Sequence, residues 1–148
     1  RPSVPNFTTN DLGFKIGEGI LLRPGSDVTI VATGHLVWEA LEASAELKNY
    51  DIDSEVVNIH TIKPLDENII LNSVKKTGCI VSAEEHNYMG GLGESIAGLL
   101  ATKYPTPMEF VATQDTFGES GTPAELMAKY GLNKDAIIQK VLELKKRL

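Results

Sequence analysis

The sequence has little of what a disulfide scaffold, a membrane protein or a nucleic-acid-binding protein needs. Cys79 is its single cysteine, so an intrachain disulfide is excluded and a reducing compartment is the simpler assumption. No apolar run reaches the roughly 18 residues that span a bilayer, and no signal-peptide pattern opens the chain. Basic residues are the minority: 14 Lys and Arg face 20 Asp and Glu, a net charge of −6 that argues against a nucleic-acid surface. These absences favour a soluble cytoplasmic domain.

Length and the first residues bear on domain organisation. The 148 residues fit one domain. The chain opens with Arg1-Pro2-Ser3-Val4-Pro5 and no methionine, and extended segments punctuated by proline are typical of linkers. We therefore expect a linker left from a longer protein, with simple processing of a whole protein as the alternative.

Apolar runs rich in β-branched residues alternate with amphipathic stretches along the chain. Strands are predicted at 19–23, 28–33, 54–59, 79–84 and 108–113. Helices are predicted from 35 to about 48, from the N-cap Asp66 to Gly78, from about 92 to 102, and twice after Thr122. This alternation predicts an α/β fold with a mainly parallel sheet and helices on both faces. Because only four residues join the first two strands, the first strand is expected to be antiparallel or to lie elsewhere in the sheet.

Polar side chains follow three of the predicted strands. His35 follows the second strand, His60 the third and His86 the fourth, and ligands of open parallel sheets collect at these carboxyl ends. The segment Gly90–Ser95 opens a helix whose amides could hold an anion. It matches neither the dinucleotide fingerprint nor the P-loop, so glycines that permit a tight turn and close packing are the favoured interpretation. The candidate pocket or interface at the strand ends comprises His35, Glu84, Glu85, His86, Gly90 and Gly91.

These residues do not form a self-sufficient active site by any pattern we recognise. The histidines offer no short ligand pair, so hydrogen-bonding histidines are favoured over a metal site. The segment Gly118–Gly121 lacks the final glycine of a nucleophile elbow. Cys79 falls in a predicted buried strand with no adjacent base. We expect no catalytic, cofactor-binding or metal-binding residue in this chain.

Four segments in unbroken order resemble the C-terminal domain of transketolases. They are Asp27–Gly34, His60–Asp66, Glu84–His86 with Gly90–Gly93, and Asp115–Gly121. Two relatives share this domain, the β subunits of 2-oxoacid dehydrogenases and the deoxyxylulose-phosphate synthases. The pair Glu85-His86 and the segment Phe117–Gly121 favour transketolase over both.

The resemblance implies a fold, a domain division and a parent enzyme. The fold would be a three-layer α/β/α domain over 16–148, with a five-stranded mixed, mostly parallel sheet whose first strand is antiparallel. Residues 1–15 would be the linker from a pyrimidine-binding domain. The parent would be a cytoplasmic transferase of the pentose phosphate pathway, which moves a two-carbon ketol unit between sugar phosphates.

The resemblance also implies where the parent's cofactors lie. Thiamine diphosphate and a divalent cation, Mg²⁺ or Ca²⁺, would bind the preceding pyrimidine- and diphosphate-binding domains or subunit, whose motifs match no position here. The parent would be a homodimer. The isolated chain is therefore expected to be inactive and to serve assembly, regulation or both; a small-ligand-binding module is the competing hypothesis.

Overall fold

The computed structural model describes residues 4–8 and 13–148. Within these residues, strands and helices alternate along the chain. They are β1 (Ile20–Arg23), β2 (Val28–Ala32), α1 (Leu36–Leu47), β3 (Ser54–Asn58), α2 (Glu67–Thr77), β4 (Ile80–Asn87), α3 (Leu92–Lys103), β5 (Met108–Thr113), α4 (Pro123–Lys129) and α5 (Lys134–Lys146). The proposed linker, 1–15, includes 1–3 and 9–12, which lie outside the described residues, so the division at residue 16 stays a prediction.

The strands form one sheet in the order β1-β3-β2-β4-β5 over the described residues. β1 runs antiparallel to β3, with Ile20 opposite Asn58, and the other neighbours are parallel. The short turn before β2 passes against β3, where a Cβ on Gly25 would overlap the backbone of Ser54. The predicted mixed sheet with an antiparallel first strand is therefore confirmed.

Two apolar clusters, one on each face of the sheet, hold the layers together. Alternate residues of β2 point to opposite faces, so Ile30 joins the cluster with α1 and α5, and Val31 joins the cluster with α2 and α3. Both side chains are fully buried. The fold is thus the expected three-layer α/β/α domain. None of the helices in 4–8 and 13–148 is both long and apolar enough to cross a bilayer.

Local hydrogen bonds set the helix ends that the sequence predicted. Asp66 caps α2 by accepting from the amide of Ile69 at 3.1 Å, and Gly78 ends that helix at φ 75°. Thr122 and Glu125 form a capping box at the start of α4. These ends depend on residues within one helical turn, which is why pattern alone located them.

β4 is longer than predicted, and this moves His86. The prediction ended the strand at Glu84 and placed His86 after it, whereas β4 continues to Asn87. Pairing with β5 extends it: Asn87 lies opposite Thr113, and the amide of Tyr88 donates to the Thr113 carbonyl at 3.1 Å. His86 therefore lies within the strand, because a partner distant in sequence supplies the hydrogen bonds.

Candidate functional site

The candidate residues all line one small cavity at the carboxyl end of the sheet. Its volume is about 230 Å³, and it lies beyond β2 and β4. The chain passes from β2 to β3 on one side and later to β4 on the other, so this is the point where strand order reverses. Its lining includes every residue of the predicted set, His35, Glu84, Glu85, His86, Gly90 and Gly91, together with Thr33, Gly34 and Ile62.

The carboxylate of Glu84 forms the floor of this cavity and is already engaged. Glu84 is 1% exposed and accepts hydrogen bonds from the amides of Leu92 and Gly93, each at 2.8 Å. These amides begin α3, where the helix dipole favours negative charge. The carboxylate of Glu84 therefore takes the place that an external anion would occupy. The amide of Gly90, just before the helix, likewise donates to the side chain of Glu94.

The glycines of this segment permit close packing around that carboxylate. A Cβ on Gly91 would overlap the Glu84 carboxyl group, and one on Gly93 would overlap the Phe110 ring. Gly90 adopts φ 80°, a conformation that favours glycine. These contacts support the interpretation that the glycines permit close packing. The amides of Gly90, Leu92 and Gly93 already donate to glutamate side chains, so they are not free to bind phosphate.

The other polar side chains of the cavity face solvent. His86 Nδ1–H can donate to the carbonyl of Asn87 at 3.0 Å, which leaves Nε2 as an acceptor. Glu85 and His86 are exposed, and His35 is half-buried at the start of α1. Two imidazoles and a carboxylate can hydrogen-bond a small polar ligand here. His60, in contrast, lies outside the cavity lining, with its ring against Phe14 at a centroid distance of 4.2 Å.

The residues present do not fit the thiamine diphosphate and divalent cation that the resemblance implies for a parent enzyme. Across 4–8 and 13–148, no three His, Cys, Asp or Glu side chains converge as a metal site requires. The glycine-rich helix start, which is the place suited to a diphosphate, is occupied by Glu84. No reaction step is therefore assigned to this chain.

A second cavity, of about 330 Å³, shares His35 and Glu85 with the first and extends to Gly118 and Leu126. Beside it Phe117 is 99% exposed. Phe117 is part of a segment noted in the sequence, but its exposure was not predicted. The signal that could have drawn attention to it is one aromatic residue in an otherwise polar, glycine-rich segment, 114–121.

Comparisons with known proteins agree with this architecture. The family model described as "Transketolase, C-terminal domain" matches residues 17–137. The chain is 44% identical over 147 residues to the 6-deoxy-6-sulfo-D-fructose transketolase subunit of a Clostridium species, covering 99% of this chain and 45% of that protein. It is 37% identical over 126 residues to the 1-deoxy-D-xylulose-5-phosphate synthase of Desulforudis audaxviator, covering 84% of this chain and 20% of that enzyme.

A solved structure is also similar over almost the whole chain. It is a split-gene transketolase described as an inactive β4 tetramer, with a TM-score of 0.93 and 40% identity. The similarity covers 97% of this chain and 47% of that one. The chain thus spans about half the length of the transketolase subunits that it matches.

Proposed function

Because this chain belongs to the transketolase C-terminal domain family, we propose that it is the C-terminal half of a split transketolase subunit. The observation that carries the proposal is the similarity over 97% of this chain to a split-gene transketolase, of which it spans 47%. A further relative of about twice this length is itself named a transketolase subunit. The remaining half would supply the pyrimidine-binding domain, and a separate subunit would supply the diphosphate-binding domain.

The activity that we propose for the parent is transfer of a two-carbon ketol unit between sugar phosphates, with thiamine diphosphate and a divalent cation. This chain would contribute assembly rather than chemistry. Its cavity presents imidazoles and carboxylates with no nucleophile–base pair, and the glycine-rich start of α3 already holds the carboxylate of Glu84. A cytoplasmic location and a homodimeric pair of such subunits complete the proposal.

Calorimetry and an activity assay test whether the chain contributes assembly while the rest of the parent binds the coenzyme. The chain alone should show no ketol transfer and no heat of thiamine diphosphate binding, while the parent subunit mixed with its partner subunit should show both. Micromolar affinity of the chain alone for the coenzyme would contradict the proposal. Because a deoxyxylulose-phosphate synthase is also among the relatives, the parent is assayed for that activity too, and its presence without ketol transfer would favour the synthase.

A second candidate function is binding of a small polar ligand in the cavity at the switch point. The observation that favours it is that the six predicted residues line one cavity. His35→Ala and His86→Ala in the parent test it, with sugar phosphates and nucleotides as probes. If this cavity binds a regulator, both variants should change the parent's kinetics and abolish the binding of one of these probes. Unchanged kinetics with no ligand bound would leave assembly as the function.

A further inference from the structure

The outer edge of β5 has no strand beside it among the residues that the structure describes. β5 is the last strand in the order β1-β3-β2-β4-β5, so only the side that faces β4 is paired. It is six residues long, about 20 Å of extended chain. Proteins commonly cover or blunt such an edge, because its free amides and carbonyls can pair with another chain. What covers β5 therefore decides whether this edge can bind a partner.

A hydrogen bond to β4 identifies which backbone groups of β5 point outward. The amide of Ile80 donates to the Pro107 carbonyl at 3.1 Å, so the backbone of residue 107 faces β4. Backbone groups on one side of a strand recur at every second residue. The amides and carbonyls of Met108, Phe110 and Ala112 therefore point away from β4. Their spacing of about 6.6 Å is the spacing that another extended chain presents.

The chain itself satisfies one of these outward groups. The side-chain amide of Gln114 donates to the Ala112 carbonyl at 3.0 Å, as the backbone amide of a neighbouring strand would. This bond shows that the Ala112 carbonyl points outward, and it ends the open edge there. From Met108 to the Ala112 amide, no strand or side chain within 4–8 and 13–148 bonds the outer edge. The first part of β5 is therefore open to pairing.

Two helices flank this open edge and form a groove along it, which we name the β5 groove. β5 is its floor, Glu94 and Ala97 of α3 lie on one wall, and Ala136 and Lys140 of α5 lie on the other. The volume is about 710 Å³, within the range of roughly 300–1,000 Å³ that is typical of ligand pockets. The half-buried Phe110 adds apolar surface to the floor. Because each wall carries an alanine, room remains for the side chains of an added strand.

The charges of the β5 groove favour a basic occupant. On the α5 wall, Lys140 is neutralised by Glu109 at 3.2 Å and by Glu143 at 3.0 Å. On the α3 wall, Glu94 is exposed, accepts the amide of Gly90 and has no cationic partner in the described part of the chain. The whole chain has a net charge of −6. A second copy would bring the same charge and its own α3 and α5, so a slender basic segment fits better than self-pairing.

We propose that the β5 groove binds an extended, basic peptide segment of a partner protein, which adds a sixth strand to the sheet. The outward groups of Met108 and Phe110 bond its backbone. Its alternate side chains point to opposite faces; apolar ones contact Phe110 and Ala136, and a Lys or Arg lies beside Glu94. In strand addition, main-chain hydrogen bonds give affinity and alternate side chains give specificity. The proposal is independent of the proposed function, because every group that it uses lies in this chain.

Peptide display tests which sequences the β5 groove accepts. A random heptapeptide library is selected, at low ionic strength, against the full-length parent assembled with its partner subunit. We expect enriched peptides to alternate apolar residues and to contain Lys or Arg. Absence of enrichment, or enrichment of acidic or non-alternating peptides, overturns the proposal. A groove already covered by another subunit gives the first of these results.

Two tyrosine substitutions on α3 locate the binding. Ala97→Tyr places a ring in the groove, so a fluorescent enriched peptide should bind roughly tenfold more weakly by anisotropy. Ala101→Tyr is the matched control, at an exposed alanine one turn further along α3 and outside the groove lining, and should leave the affinity unchanged. Glu94→Gln should weaken binding more at low than at high ionic strength. Equal binding by the two tyrosine variants would place the peptide elsewhere and refute the proposal.

N-methylation of the peptide backbone distinguishes strand addition from simple apolar binding. In an added strand, the amides of every second residue face β5 and the others face solvent. Methyl groups on the first set should abolish binding, whereas methyl groups on the second set should leave most of it. Equal effects of the two sets would show that no strand is added. Because none of these measurements uses ketol transfer, failure of the proposed function would leave their outcome unchanged.

Discussion

The buried carboxylate of Glu84 fills the space that a side chain at Gly91 would occupy. A Cβ at position 91 would overlap Glu84 Oε2, while that oxygen accepts the amide of Leu92 at 2.8 Å. Because Gly91 has no side chain, the carboxylate of Glu84 on β4 can reach the amides at the start of α3. This contact joins the sheet to the helix beside the candidate cavity.

Gly91→Ala tests this packing directly. The added methyl group cannot be accommodated without moving the carboxylate, and overpacking of this kind costs about 1–3 kcal/mol of unfolding free energy. Urea unfolding of this chain measures the loss. Gly98→Ala is the control within α3, the helix that Gly91 precedes, since a Cβ there meets nothing within 4 Å and the substitution should stabilise the chain by about 0.5–1 kcal/mol. An equal response of the two variants would contradict the packing argument.

Glu84→Gln tests the two hydrogen bonds rather than the shape. The amide side chain keeps one acceptor but turns an NH₂ group toward a backbone N–H, which leaves a buried donor unpaired. We expect a loss of about 1–3 kcal/mol, again by urea unfolding. Glu85→Gln, the exposed neighbour on the same strand, should change stability by less than about 0.5 kcal/mol. Comparable losses of unfolding free energy at both positions would show that the loss does not arise from the buried hydrogen bonds of Glu84.

The capping box of α4 predicts a measurable titration. The Thr122 hydroxyl donates to Glu125 at 2.7 Å and the Thr122 amide at 2.9 Å. These bonds lower the pKa of Glu125 below its ordinary value of 4.5. Since the folded-state pKa is depressed, the contribution to stability is present above pH 4.5 and is lost as the pH falls through the folded-state pKa.

Thr122→Ala removes the side-chain bond, the larger cause of the shift. NMR titration of the Glu125 carboxyl carbon should show its pKa move back toward the ordinary value. The variant should also unfold more easily at neutral pH, because loss of an N-cap costs about 0.5–2 kcal/mol. Thr122→Ser retains the hydroxyl and should restore both properties. A Glu125 titration that is the same in Thr122→Ala and the wild type would rule out the capping box as its cause.

Cys79 should be inert while the chain is folded. Its thiol is buried, and Sγ–H donates weakly to the Asp27 carbonyl at 3.4 Å. Burial raises the pKa of Cys79 above its ordinary 9.0, which Lys145 partly offsets. The thiolate is the reactive form, so reaction with a disulfide reagent at pH 8 should be at least a hundredfold slower than in urea.

The raised pKa of Cys79 also gives a pH dependence with a definite sign. The unfolded thiol loses its proton before the folded one, so its contribution to stability is complete below pH 9.0 and falls as the pH rises above that value. Cys79→Ala should remove this part of the alkaline loss. If the variant and the wild type lose stability in parallel above pH 9, the thiol does not contribute to that loss.

Much of the fold could be predicted because its signals are local. The apolar run in β2 and the stripe in α1 each depend on neighbours a few residues away, and the predicted strands and helices are all observed. The end of β4 could not be predicted in this way. Its last residues pair with β5 more than twenty positions later, and a polar segment ending in Asn87 has no strand signal of its own.

The candidate site was predictable in location but not in detail. Parallel strands bring their carboxyl ends to one edge, so residues after β2 and residues at and beyond the predicted end of β4 were expected to meet, and they line one cavity. The burial and the hydrogen-bond partners of each side chain were not predictable. Glu84 and Glu85 are adjacent and chemically identical, yet one is buried on helix amides and the other faces solvent. Successive strand residues point to opposite faces, and only the packed helices decide what each face meets.

Two hydrogen bonds at the start of α5 separate what the sequence determined from what only the tertiary structure decided. Asn133 caps α5 by accepting the amide of Ala136 at 3.0 Å, a bond across three residues that the sequence alone specifies. The amide of Lys134, the first residue of that helix, donates to Glu39 of α1 at 2.8 Å, across 95 residues. The sequence determined the elements and their caps, since these follow from periodicity and short-range hydrogen bonds. The tertiary structure decided which carboxylates meet distant amides, how far β4 extends and that Phe117 stands in water, because such contacts exist only after the layers have packed.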